Sequence, residues 1–170
     1  MNIILCGMMG VGKSSVGACI SSLTGRRWVD TDAVISGRHG TISDLFECYG
    51  EAYFRQLERG LVGELEHEDG LVVSTGGGLV LDPVNAAALR RNGKIFFLRA
   101  SFETLLSRVR ADVSRPLLKD TGRMRETLSS LLAARTPVYE SVADHIVDTD
   151  GCTAEEAARQ IVALAEGGVS

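Results

Sequence analysis

With 170 residues, 45% of them hydrophobic and 24% charged, the chain has the length and balance of one globular domain able to bury its own core. Its net charge of -4 argues against nucleic acid as the main partner, because gripping a polyanion needs a broad basic surface. No stretch approaches the ~20 apolar residues that span a bilayer, and Cys6, Cys19, Cys48 and Cys152 lack metal-ligand spacing, so a soluble cytoplasmic protein with reduced thiols and no membrane partner is expected.

In chain order, Asn2–Cys6 is a short apolar run ending at Gly7 and reads as a buried strand. A helix follows from Lys13, with Val16, Ile20 and Leu23 at helical spacing and Gly25 near its end. Trp28-Val29-Asp30 reads as a second strand. Thr41 with Asp44 suggests a helix start, and a longer amphipathic helix runs from Glu51 to Glu66. Leu71–Ser74 is a third strand, running directly into Gly76-Gly77-Gly78. Asp82-Pro83 has the form of an N-cap followed by proline at the first helical position. Ile95–Leu98 is a fourth strand, and Ser101 opens a helix carrying Leu105, Leu106 and Val109 on one face. Residues 111–122, polar and containing Pro116 and Gly122, read as a loop of lid length. A helix then runs to about Arg135, His145–Asp148 is the last strand, and Thr153 with Glu156 makes a capping box for the final helix. Alternating strands and helices predict an α/β fold with a mostly parallel sheet and helices on both faces, in a single domain without repeat or linker.

Gly7-Met8-Met9-Gly10-Val11-Gly12-Lys13-Ser14 fits GxxxxGK[ST] at every fixed position. A strand delivers the chain, the glycines let the backbone curl, and its amides face phosphate oxygens at the positive end of the following helix. Lys13 can reach the β- and γ-phosphates, and Ser14 can offer its hydroxyl to Mg²⁺. Asp30 and Asp32, taken as positions i and i+2 at the carboxyl end of a strand, would point the same way into one cleft. One carboxylate could help hold a metal and the other could orient an acceptor hydroxyl and take its proton, unless one of them caps the next helix. Arg55 and Glu58 are three apart on a helix, so Glu58 can hold the guanidinium fork for a substrate carboxylate, or the two can be a surface pair. Arg135 ends its helix before Thr136-Pro137, where it could instead pair with the helix C-terminus. The three glycines suggest close approach to a ligand, or a tight turn. Arg115 in the lid segment could close over the phosphates.

Taken together, GMMGVGKSSVG at Gly7–Gly17, Asp30-Thr31-Asp32, Phe54-Arg55 with Glu58, Gly76-Gly77-Gly78, Arg115-Pro116-Leu117-Leu118 and Arg135-Thr136-Pro137-Val138-Tyr139 resemble the shikimate kinases, a P-loop small-molecule kinase family. The resemblance covers nearly the whole chain. It implies a five-stranded parallel sheet in the order 2-3-1-4-5, a helical substrate-binding insert over about residues 32–60 and a lid over about 111–122. It implies transfer of the ATP γ-phosphoryl group to the 3-hydroxyl of shikimate, in chorismate biosynthesis, by a monomer using Mg²⁺. Lys13, Asp32 and Arg115 would be catalytic. Gly10, Val11, Gly12, Lys13, Ser14 and Ser15 would hold the nucleotide, together with Arg115 and an adenine-stacking Arg108. Asp32, Arg55, Gly76, Gly77, Gly78 and Arg135 would hold shikimate, and Ser14 and Asp30 the metal. The rival readings are a gluconate kinase-like enzyme, which would also take an anionic polyol, a catalytically silent nucleotide-binding module, and a nucleic-acid-handling ATPase.

Overall fold

Strands with apolar residues on both faces must be covered on both faces, and the chain meets this demand in its central strand. The computed structural model describes residues 1–111 and 121–167. Strands β1 (Asn2–Cys6), β2 (Arg27–Asp30), β3 (Leu71–Ser74), β4 (Gly93–Arg99) and β5 (His145–Asp148) form one sheet in the order β2-β3-β1-β4-β5. Every pairing is parallel. In β1 every residue is buried, as expected of a parallel strand sandwiched between helices. Helices α1 (Lys13–Thr24), α2 (Thr31–His39), α3 (Ile42–Tyr49), α4 (Glu51–Leu65), α5 (Pro83–Arg90), α6 (Phe102–Ala111), α7 (Thr121–Val142) and α8 (Ala154–Ala165) flank the sheet in a three-layer arrangement. Here α1 packs on α8 and β3, while α5 packs on α4 and β4. Since β2 and β3 lie on one side of β1 and β4 and β5 on the other, the loop after β1 stands where the strand order reverses. In open parallel sheets that point receives ligands.

Local signals account for most boundaries. Gly25 closes α1 in the left-handed conformation at φ 72°, and its amide donates to the Ser21 carbonyl. Thr41 caps α3 through the Asp44 amide, Asp82 caps α5 ahead of Pro83, and Thr153 and Glu156 form the full capping box of α8.

Three expectations are corrected. Asp32 does not extend β2: the strand ends at Asp30, which caps α2, and Asp32 lies in the first turn of that helix. Helix α2 carries Val34, Ile35 and Gly37, all modest or poor helix formers, and its apolar face is anchored by Ile35 at 2% exposure, so packing overrides propensity. Next, α7 does not stop at Arg135 but continues through Pro137 to Val142. Proline removes one backbone rung and costs about 3 kcal/mol. The turn beyond it carries Tyr139, which is fully buried against β4 and repays that penalty. Finally, Ala111 belongs to α6, and Thr121 and Gly122 belong to α7, so both ends of the expected loop are helical. The rest of that loop, including Arg115, lies outside the described residues.

Candidate active site

The loop after β1 turns sharply to start α1. Gly7 takes φ 139° and Gly10 takes φ 79°, conformations that favour glycine. A Cβ at Gly7 would stand 2.5 Å from the Leu98 carbonyl oxygen, and one at Gly10 would stand 2.9 Å from a Val109 methyl, so the loop is also too close to its neighbours for side chains. Gly12 is the N-cap of α1 and supplies no side-chain cap, which leaves the first-turn amides and the positive end of the helix dipole available to an anion. The Lys13 ammonium donates to the carbonyls of Gly7 and Met8 at 2.9 and 3.0 Å, so it lies over the same loop. Arg108 reaches in from α6 and donates to the Val11 carbonyl at 3.0 Å. It also contacts Thr149 after β5, and this ties the loop to the opposite rim of the cleft.

Asp30 serves two partners. Its Oδ1 accepts the Ala33 amide and caps α2, while its Oδ2 accepts the Ser14 hydroxyl at 2.6 Å. The alternatives of helix cap and cleft ligand thus coexist on one carboxylate. The neighbouring Thr31 is buried, and its hydroxyl accepts the Gly76 amide at 2.8 Å, pinning the start of the glycine run.

The glycine run explains itself by what stands against it. A Cβ on Gly76 would collide with the Asp32 carboxylate. One on Gly77 would sit 3.3 Å from Arg135 Nη1, and one on Gly78 would sit 2.5 Å from Arg55 Nη2. Each missing side chain makes room for a different charged group, drawn from α2, α7 and α4. The close approach is therefore first of all to the protein's own side chains. Arg55 Nη1 donates to Glu58 Oε2 at 2.7 Å, and its Nη2 donates to Glu51 at 3.0 Å. Glu58 is only 1% exposed, so this is no surface pair. Burial pushes its carboxyl above the usual range; Arg55 opposes that push, and Asp32 and Asp82 add to it. For Arg55, burial pulls downward, but Glu58 and Glu51 outweigh it and hold the guanidinium above its ordinary value.

Most of these groups line one cleft of about 570 Å³. It brings together the loop from Gly10 to Ser15, Asp30 and Asp32, Arg55, Gly76 to Gly78, Arg108 and Arg135. Ile42, Phe46 and Phe54 supply an apolar wall, and Thr149, Cys152 and Thr153 lie at the Arg108 end. Two contributors went unread in the sequence. Glu51 stands four residues before Arg55, a helical spacing that signals a second carboxylate on the same guanidinium. Tyr139 stands four residues after Arg135, a helical spacing that the intervening Pro137 masks.

Comparison with known proteins gives one consistent answer. A family model described as shikimate kinase matches residues 9–166. A shikimate kinase from Halorhodospira halophila is 43% identical over 167 residues, covering 97% of this chain and 93% of that protein. A shikimate kinase from Acinetobacter baumannii, solved in complex with shikimate, is 35% identical and superposes with a TM-score of 0.89, covering 98% of this chain and 93% of that one. One from Aquifex aeolicus is 34% identical with a TM-score of 0.85, covering 99% of this chain and 100% of that one.

Proposed function

Since the chain belongs to the shikimate kinase family, we propose that it transfers the γ-phosphoryl group of ATP to the 3-hydroxyl of shikimate, giving shikimate 3-phosphate and ADP in the biosynthesis of chorismate and the aromatic amino acids. The observation that carries this reading is the shared cleft: a P-loop on one side, and on the other a carboxylate and two guanidinium groups ranged along one glycine run.

The two sides divide the work. The amides from Gly10 to Ser15 and the Lys13 ammonium bind the triphosphate and offset charge on the transferred group. Arg108, anchored to Val11 and Thr149, stacks on adenine. Arg55, held by Glu58 and Glu51, and Arg135 fork the acceptor carboxylate, while the Gly77 amide meets an acceptor hydroxyl. Asp32 orients the attacking hydroxyl and accepts its proton. That oxygen forms the new bond to phosphorus as the β–γ bridging bond breaks, and the bridging electrons leave on ADP. Arg115, which lies outside the described residues, neutralises charge on the phosphoryl group. Helices α2 to α4 hold the acceptor side as an insert of about residues 32–60.

The Ser14 hydroxyl and Asp30 Oδ2, 2.6 Å apart beside the phosphate loop, are hard oxygen donors of the kind Mg²⁺ prefers. Among the described residues no cluster of three acidic, histidine or cysteine side chains could cage a metal alone. Ser14 and Asp30 would hold a magnesium ion there, and it would supply charge neutralisation to the phosphoryl group in transfer. Among the described residues no helix is long and apolar enough to cross a membrane. A cytoplasmic monomer is part of the proposal.

The test is a coupled ADP-release assay run with shikimate and with gluconate. Turnover with shikimate and none with gluconate is expected. Turnover only with gluconate overturns the acceptor, and nucleotide binding without turnover on either favours the silent module. Nucleic-acid-stimulated ATP hydrolysis would revive the ATPase reading.

A further inference from the structure

Three consecutive glycines have no side chains to hold them, yet the acceptor wall depends on where their peptide planes point. Those planes are pinned from outside. The Gly76 amide donates to Thr31 Oγ1, the Gly76 carbonyl accepts the Leu79 amide at 3.1 Å, and the Gly78 carbonyl accepts the Leu81 amide at 3.2 Å. The Gly77 carbonyl accepts the Tyr139 hydroxyl at 2.5 Å, a bond from a helix more than sixty residues away along the chain. Trans planarity makes the Gly78 N–H antiparallel to that carbonyl, so holding one atom orients the whole plane.

Tyr139 is held firmly in place to make this contact. It is fully buried, its ring packs on Phe97 with centroids 5.1 Å apart, and its hydroxyl also lies 3.9 Å from the Met8 sulfur in the phosphate loop. Burial pushes the phenol up to about 12, although Arg135 pulls the other way, so it stays a donor throughout the ordinary pH range. Arg135 lies one helical turn earlier on α7, and its Nη1 stands 3.3 Å from where a Gly77 Cβ would be. The Tyr139 hydroxyl lies 3.9 Å from that same point and is also hydrogen-bonded by the Arg135 side chain, so it links the backbone of the glycine run to a charged group on α7. Tyr139 is not itself among the residues lining the cleft.

We propose that Tyr139 is a positioning residue: its hydroxyl fixes the Gly77–Gly78 peptide and the Arg135 guanidinium relative to each other, and so sets the affinity of this wall for a carboxylate-bearing acceptor without touching the acceptor. This rests on the reading of the cleft given above, in which Arg135 and the glycine run face the acceptor; the plane held by Tyr139 is the one that carries the Gly78 N–H.

The test is Tyr139→Phe, which keeps the ring against Phe97 and removes only the hydroxyl. Losing one buried hydrogen bond predicts a rise of about tenfold in the KM for shikimate, with the KM for ATP within about twofold and kcat within about threefold. Combined with Arg135→Ala, the effect of Tyr139→Phe on shikimate affinity by titration should shrink, because the two act on one arrangement. An unchanged shikimate KM in a variant with a lowered melting midpoint makes the hydroxyl merely structural and overturns the inference. Equal rises in both KM values, or strict additivity with Arg135→Ala, overturn it as well. These outcomes are distinct from failure of the functional reading, in which the unmodified enzyme itself would not turn over shikimate.

Discussion

The two sides of the cleft are built on opposite plans. The phosphate side, as proposed, is backbone: one continuous segment, Gly7 to Ser15, whose amides and helix end would do the binding and whose glycines at 7 and 10 leave no room for side chains. The acceptor side is side chain. Asp32, Arg55 and Arg135 come from α2, α4 and α7 and converge on a bare strip of backbone, and Arg55 is held there by Glu58, a carboxylate at 1% exposure. A backbone site is local and largely indifferent to distant changes, whereas a side-chain site is a tertiary construction that fails whenever one of its supports moves.

That contrast can be broken or sharpened by substitution. The largest effect should come from Lys13→Ala, which on the proposed reading removes a positive charge from beside the transferred group: kcat should fall about 1,000-fold, with shikimate affinity by titration held within about threefold. Comparable loss of shikimate affinity would mean the two sides are one unit. Next, Arg55→Ala should lower kcat/KM for shikimate about 100-fold while ATP binding is retained, and should lower the melting midpoint because Glu58 is left buried and without its closest partner. A collapse of ATP affinity would remove Arg55 from the acceptor side. Smaller still is Gly78→Ala. Its backbone at φ -98° tolerates a side chain, but the new Cβ would fall 2.7 Å from Arg55 Cζ and must push the guanidinium aside. The shikimate KM should rise about tenfold with the fold intact, and an unchanged value would show that Arg55 has room to spare.

The smallest effect is a pH dependence confined to the acceptor side. Glu58 has its carboxyl raised above the ordinary 4.5, so the folded state holds its proton more tightly than the unfolded one. The stability this contributes is complete below 4.5 and is lost as pH rises through the raised value. Glu58→Gln lacks that dependence, so melting midpoints measured on both proteins from acid to neutral pH should fall away more in the unmodified enzyme. Parallel curves would refute it.

The same contrast governs what could be read in advance. The phosphate loop was legible because its chemistry is contiguous, and β1, β3, β5 and α8 were legible because apolar runs and capping residues are local signals. The acceptor side was legible residue by residue but not in its geometry. Asp32 was assigned to a strand because α2 is made of weak helix formers and exists by burying Ile35. Arg135 was assigned to a helix end because Pro137 is a strong local stop, which the burial of Tyr139 overrides. The motive for Gly76 to Gly78 was inaccessible, since the three side chains that crowd them come from elements far apart in the chain.

For anyone wishing to retrain this enzyme on a different acid, the glycine strip marks where not to begin. A side chain at Gly76 or Gly78 would displace Asp32 or Arg55 outright and one at Gly77 would crowd Arg135, so on the proposed reading variation there would cost catalysis before it could yield novelty. Ile42, Phe46 and Phe54 line the same cleft as an apolar wall, but Phe54 lies 5.6 Å below the Arg55 guanidinium and is better left alone. A mutant library restricted to Ile42 and Phe46, the two of that trio outside α4, would explore acceptor size and hydroxyl pattern while the carboxylate anchor stays in service.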